Sequence, residues 1–133
     1  MGIVVDTSVL LNAEHVGGDF SLFFDESERF YMAAITVSEL LAGVPLAKNA
    51  SDRIRRLSWS EVIIKTLPVL PFDLEVARTY AEIYAHQLKN SRRQFLNVHD
   101  LQIAATAITH DYAVLTNNTK DFEKIPGLCL LSP

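Results

Sequence analysis

The chain reads as an α/β protein built on a parallel sheet, and two observations predict that class. Short apolar runs rich in β-branched residues alternate with longer segments of helical spacing along its 133 residues, the order that a sheet with crossover helices requires. Carboxylates stand where these runs meet polar turns, at Asp6, Glu39, Asp100 and Asp121. Open parallel sheets bind ligands at the carboxyl ends of their strands, where three of these acids would gather and the fourth can join them.

The elements follow in order. Residues 3–5, Ile3-Val4-Val5, predict a first strand closed by Asp6, because β-branched side chains suit a pleated, buried surface. Helices are expected over 7–14 and 20–27, then a strand over 30–33 and a helix over 37–45. A helix over 52–66 leads into a strand over 66–70. The helix expected over 74–89 carries the stripe Val76, Tyr80, Ile83 and Tyr84, with Asp73 as its N-cap. The helix over 100–110 places Ile103, Ala104, Ala107 and Ile108 on one face. Strands over 113–116 and 128–131 complete the set. No repeat, low-complexity tract or linker interrupts the pattern, so residues 1–133 are expected to form a single domain.

Bulk properties narrow the class. A hydrophobic content of 49% against 21% charged residues excludes disorder as the main state. At this length the chain can bury a substantial core. The net charge of −4 argues against a protein that coats nucleic acid by charge alone. The lone Cys129 cannot form an internal disulfide and suits a reducing, cytoplasmic setting. No cationic leader with an apolar core opens the sequence, and no apolar run approaches membrane-spanning length.

Each acid has a structural and a chemical reading. Asp6 suits an N-cap for the first helix, and equally a ligand at the end of a buried strand. Thr36-Val37-Ser38-Glu39 matches a capping box, in which Glu39 reaches back to the Thr36 amide; only the company of the other acids raises the chemical reading. Asp100 shares the apolar stripe of its helix, where an unpaired carboxylate is costly. A helix dipole offsets only about 0.3–1 kcal/mol, so a bound cation explains Asp100 better than capping. Asp121 lies in a polar stretch, 116–122, that also suits an ordinary turn. Gathered carboxylates repel one another unless a hard divalent cation holds them. That combination points to metal-assisted hydrolysis, most plausibly of a phosphodiester.

Other chemistries lose support. His15, His86, His99 and His110 show no zinc-like pairing; His99 adjoins Asp100 but is expected on the surface. Ser8 and Ser38 lack a nucleophile-elbow context, and no glycine-rich phosphate or dinucleotide motif is present. The basic groups Arg53, Arg55 and Arg56, and Lys89, Arg92 and Arg93, are solvated helix ends or a phosphate-facing rim.

Four segments in order carry a resemblance: Val4 to Leu10 around Asp6, Ile35 to Gly43 around Glu39, Asp100 to Ala107, and Leu115 to Phe122 around Asp121. Together they resemble the PIN-domain family, and within it the VapC-type ribonuclease toxins of bacterial type II toxin–antitoxin pairs. The resemblance covers nearly the whole chain. It implies a three-layer α/β/α fold with a five-stranded parallel sheet in the order 3-2-1-4-5. It also implies Mg²⁺ or Mn²⁺, endoribonuclease activity, a homodimer, and a cognate VapB-like antitoxin gripped by the helical pair between the second and third strands. Carried over residue by residue, Asp6 and Asp100 become the principal metal ligands, with Glu39 and Asp121 completing a catalytic acidic pocket. One departure stands out. Many family members carry an acid where this chain has Asn118; the nearest acid is Asp121, though an Asn carbonyl can also ligate a hard cation. A structured RNA loop such as a tRNA anticodon arm is the expected target, because unpaired loops expose bases and backbone.

Rival readings are weaker. A haloacid-type phosphatase needs a second Asp where this chain has Ser8, and a receiver domain fits the acid spacing poorly. The non-enzymatic alternative is an inactive PIN fold that serves as a binding or regulatory module.

Overall fold

Residues 2–17, 27–90 and 96–133 are described by the computed structural model. The order is β1 (Gly2–Val5), α1 (Thr7–His15), β2 (Arg29–Ala33), α2 (Ala34–Ala42), α3 (Ala50–Thr66), β3 (Val69–Leu70), α4 (Leu74–Asn90), α5 (Val98–His110), β4 (Ala113–Leu115), α6 (Thr119–Phe122) and β5 (Leu130–Leu131). The strands form one parallel sheet in the order β3-β2-β1-β4-β5, as the resemblance implied. The helix expected over 20–27 falls largely outside the described residues, as do Arg92 and Arg93.

Strand alternation builds the layers. Successive side chains of a strand point to opposite faces, and β1 splits accordingly. Ile3 and Val5 pack with Val9, Leu10, Leu40 and Ile63 in one core, which joins the sheet to α1, α2 and α3. Val4 packs with Val76, Ile83, Leu101, Ile103 and Ala104 in the other, which joins it to α4 and α5. The central strands are covered on both faces, so their sequences read as continuous apolar runs. Each such side chain fully buried contributes roughly 1.5–3 kcal/mol.

Several boundaries differ from expectation for local reasons. Helix α2 begins at Ala34, directly after β2, with Ala33 at its N-cap position and no side-chain cap. Thr36 therefore lies inside the first turn, and the capping box does not form. Helices α3 and α5 start two residues early because Asn49 and Asn97 cap them, each accepting from the amide three residues on at 2.8 Å. Asp73 caps α4 as expected, accepting from Val76 N at 3.0 Å. β3 and β5 contain only two residues each, although Val114 N still bonds the Cys129 carbonyl ahead of β5. Residues 119–122, read as part of a loop, form the short helix α6 on which Phe122 is wholly buried. The buried stripe of α4 is Val76, Ile83 and Gln87, whereas Tyr84 is 45% exposed; it stacks on Tyr80 instead of entering the core. No helix among the described residues is long and apolar enough to cross a membrane.

Candidate active site

The strand order reverses between β1 and β4, and the site forms at the carboxyl ends of that pair. Asp6 follows β1 directly, and its amide bonds the Leu115 carbonyl at 2.9 Å, which holds the strand ends together. It stands at the N-cap position of α1, yet its side chain makes no capping bond. Instead Oδ2 accepts from the Ser8 hydroxyl and the Thr116 hydroxyl, both at 2.7 Å. The residue is only 2% exposed. Two hydroxyl donors meet part of the cost of burying a carboxylate and fix its plane.

Glu39 arrives from α2. Its Oε1 accepts from the Thr7 hydroxyl at 2.8 Å, and the Thr7 and Thr36 hydroxyl oxygens lie 3.0 Å apart. A hydroxyl has one proton and an ionised carboxylate only accepts. Thr7 therefore donates to Glu39, and the Thr36 hydroxyl is left to donate to Thr7. Oε2 faces His99 Nδ1 at 3.3 Å. His99 is exposed, as expected, but it also reaches the site.

Asp100 stands in the first turn of α5, its amide held by the Asn97 cap. Desolvation and the charges of Asp6, Glu39 and Asp121, in that order, push its pKa up to about 6, opposed only by His99. The four acids thus share one field, although they come from the end of β1, from α2, from α5 and from α6. Asp121 is exposed on α6, and its contribution at Asp100 is the smallest of the three. Asn118 is also exposed and stands at the N-cap position of α6 without a side-chain cap; its amide bonds Thr116 Oγ1 at 2.9 Å.

The donor set fits a hard divalent cation. The candidate ligand atoms are carboxylate oxygens; burial first, and then the neighbouring carboxylates, disfavour the charged form of Asp100, and a cation beside it would offset both. Among the described residues no three His, Cys, Asp or Glu side chains converge closely enough to chelate an ion unaided. Mg²⁺ does not require such a cage, since it binds through one or two carboxylates and keeps several waters. The hydroxyls of Thr7, Ser8, Thr36 and Thr116 orient the acids, a role the sequence reading does not give to any of them. The clue was their position: Thr7-Ser8 follow Asp6, and Thr116 ends the fourth apolar run.

Comparison with known proteins shows the family and the fold. The family model of the PIN domain matches residues 3–128. The chain is 38% identical over 132 residues to "Ribonuclease VapC1" of Rickettsia felis, covering 99% of this chain and 96% of that protein. It is 30% identical over 115 residues to the "tRNA(fMet)-specific endonuclease VapC" of Salmonella typhimurium, covering 86% and 81%. Among solved structures, DNA-bound VapBC from Salmonella typhimurium superposes with a TM-score of 0.82 at 26% identity, covering 99% of this chain and 98% of that one.

Proposed function

The chain belongs to the PIN-domain family and to its VapC-type branch, and from that premise we propose that it is the endoribonuclease toxin of a toxin–antitoxin pair, using Mg²⁺ or Mn²⁺ to hydrolyse phosphodiester bonds in structured RNA. The observation that carries the reading is the set of acids at the end of β1, where buried Asp6 is held by Ser8 and Thr116, Glu39 is held by Thr7, and burial together with the charges of Asp6, Glu39 and Asp121 raises Asp100. A tRNA is the favoured substrate, supported by the name of the Salmonella relative and by the exposure of unpaired bases in an anticodon loop.

In this reading Asp6 and Asp100 hold the cation, with Asp121 or the Asn118 carbonyl as further ligands. When bound, the cation supplies positive charge at a phosphate oxygen and a more acidic water. Ser8 and Thr116 hold Asp6 Oδ2 in place, so that its remaining oxygen is offered to the site. Glu39, pinned by Thr7 on one side and facing His99 on the other, is placed to accept a proton from the attacking water. Asp121 is the alternative acceptor, and one or two cations are both compatible with the set.

A VapB-like antitoxin is the expected partner, supported by the solved VapBC complex. It would neutralise the toxin by setting an Arg or Lys against the carboxylates. A homodimer in the cytoplasm is the expected working form. The chain from 1 to 133 acts as one domain in this scheme. Purified, antitoxin-free protein incubated with total RNA should cut it in Mg²⁺ and stop cutting in EDTA, with cut ends mapped to unpaired loops. Equal cleavage with and without chelator would refute the metal assignment, and no cleavage under any condition would favour a binding module.

A further inference from the structure

Two depressions flank Glu39, and both Glu39 and Gly43 line each of them. One, of about 250 Å³, is walled by Glu14, His15, Arg55 and Arg56. The other, of about 410 Å³, is lined by Ile35, Ala42 and Leu46, with Ser38 and His99 as its polar members. The C-terminal half of α2 is therefore a ridge between a small charged cleft and a larger apolar groove. Only the larger falls within the roughly 300–1,000 Å³ typical of sites that enclose an organic group.

The arginines of α3 differ in what they do. Arg55 is engaged by carboxylates, Nη1 at 3.3 Å from Glu14 and Nη2 at 3.5 Å from Asp52. Arg53 is exposed and is absent from the lining of the small cleft. Arg56 Nη1 donates to the Gly43 carbonyl at 2.8 Å. That neutral acceptor fixes the guanidinium fork at the ridge and leaves its charge for an anion. A planar fork with several N–H donors matches a phosphate. Across the ridge, Leu46 is 78% exposed over an apolar floor, and the His99 imidazole offers a flat face to a base.

We infer that an unpaired RNA strand crosses the acids over the Glu39–Gly43 ridge, with a flanking phosphate gripped by Arg56 in the small cleft and the adjoining base lodged against Leu46 and His99 in the apolar groove. Only an unpaired strand can do both, because a duplex keeps its bases stacked inside. This path rests on the ribonuclease reading and adds to it the residues that take the neighbouring nucleotide.

The test is binding without cleavage. A labelled, unpaired oligoribonucleotide of about 12 nucleotides and mixed sequence is titrated in EDTA at several salt concentrations and followed by anisotropy. Arg56→Gln should weaken binding about five- to tenfold at low salt. It should also lower the log–log salt slope by about 0.7, the single-strand value for one phosphate contact. Arg53→Gln, which has the same net charge, should stay within about twofold of wild type with an unchanged slope. Leu46→Ser should weaken binding severalfold without moving the slope, since it removes an apolar contact and no charge.

Equal slopes for Arg56→Gln and wild type, or an equal loss in Arg53→Gln, would overturn the phosphate assignment. An unaltered affinity in Leu46→Ser would overturn the base assignment. No binding by wild type, or an Arg56→Gln effect confined to antitoxin binding, would overturn the path as a whole. Should Arg56→Gln fail to fold, the Arg56 Nε–H resonance of wild type must shift on titration with the same oligonucleotide, and an unmoved resonance counts against the path. Wild type that cuts total RNA in Mg²⁺ while Arg56→Gln keeps the full slope leaves the ribonuclease reading standing and removes only this inference.

Discussion

The Thr116 hydroxyl donates to Asp6 Oδ2 at 2.7 Å across 110 residues of chain. Thr116 Oγ1 in turn accepts from Asn118 N at 2.9 Å. One buried hydroxyl thus fixes both the carboxylate at the end of β1 and the turn that carries Asp121. It couples the two central strands of the sheet to the geometry of the acids.

Thr116→Val keeps the shape and removes both bonds. Asp6 would keep the Ser8 hydroxyl but lose one of the two donors that offset its burial, and the Asn118 amide would lose its acceptor at the exposed turn. A lost partner of this kind costs about 1–3 kcal/mol. The expected result is a melting temperature several degrees lower and RNA cleavage slowed by about tenfold or more. An unchanged melt would show that solvent replaces the hydroxyl at no cost.

The raised Asp100 sets a pH dependence with a defined sign. Its folded pKa of about 6 lies above the ordinary 3.8, so between these values the folded state binds more protons than the unfolded state. Its contribution to stability is therefore fully present below about pH 4 and is lost as pH rises through about 6. Asp100→Asn should raise the melting temperature of metal-free protein at pH 7 by about 2–4 °C, a modest figure because solvent screens a half-buried carboxylate. The gain should vanish near pH 4. Mg²⁺ should raise the wild-type melt at pH 7 and have little effect on the variant. A lower melt for metal-free Asp100→Asn at pH 7 would contradict a crowded acidic pocket.

Cleavage should depend on the acids unequally. Asp6→Asn and Asp100→Asn remove ligand charge with little change in shape, and each should reduce single-turnover cleavage by about 100-fold or more. Wild-type rates in either variant would rule the assignment out.

Asp121→Asn should cost more activity than Asn118→Ala, because a carboxylate serves a hard cation better than a neutral amide. Single-turnover cleavage of one RNA by both variants decides it. The reverse ranking would make Asn118 the functional residue and Asp121 a turn residue.

Association should run through α4. Of the stripe expected on α4, Ile83 is buried in the core and offers no surface to a partner. What α4 exposes is Leu74, Tyr84 and Leu88, and an exposed apolar patch of this kind suits a symmetric partner. Light scattering at tens of micromolar should give a dimer, and Leu88→Glu should give a monomer with an unchanged melt. A wild-type monomer under those conditions would remove the idea.

By itself the sequence determined the α/β class, the positions of the five strands and the four acids, because these are local signals. Ile3-Val4-Val5 reads as a buried strand from its own side chains, Asp73 caps α4 within one turn, and Asp6, Glu39, Asp100 and Asp121 each sit at or near the end of an apolar run. What the tertiary structure alone decided was what each acid touches. Glu39 matches a capping box as text, yet α2 starts three residues before the expected position and turns its carboxylate toward Thr7 and His99. Thr116 looks like any strand-end threonine until β4 pairs with β1 and brings it against Asp6. Tyr84 shares a helical spacing with Ile83 but lies outside the face that packs on α5. A helical or strand period constrains neighbours within a few residues. Hydrogen bonds and electrostatic fields depend on distances between residues that only chain folding makes adjacent, and at Asp100 burial and the charges of Asp6, Glu39 and Asp121 act together in a way no local period foretells.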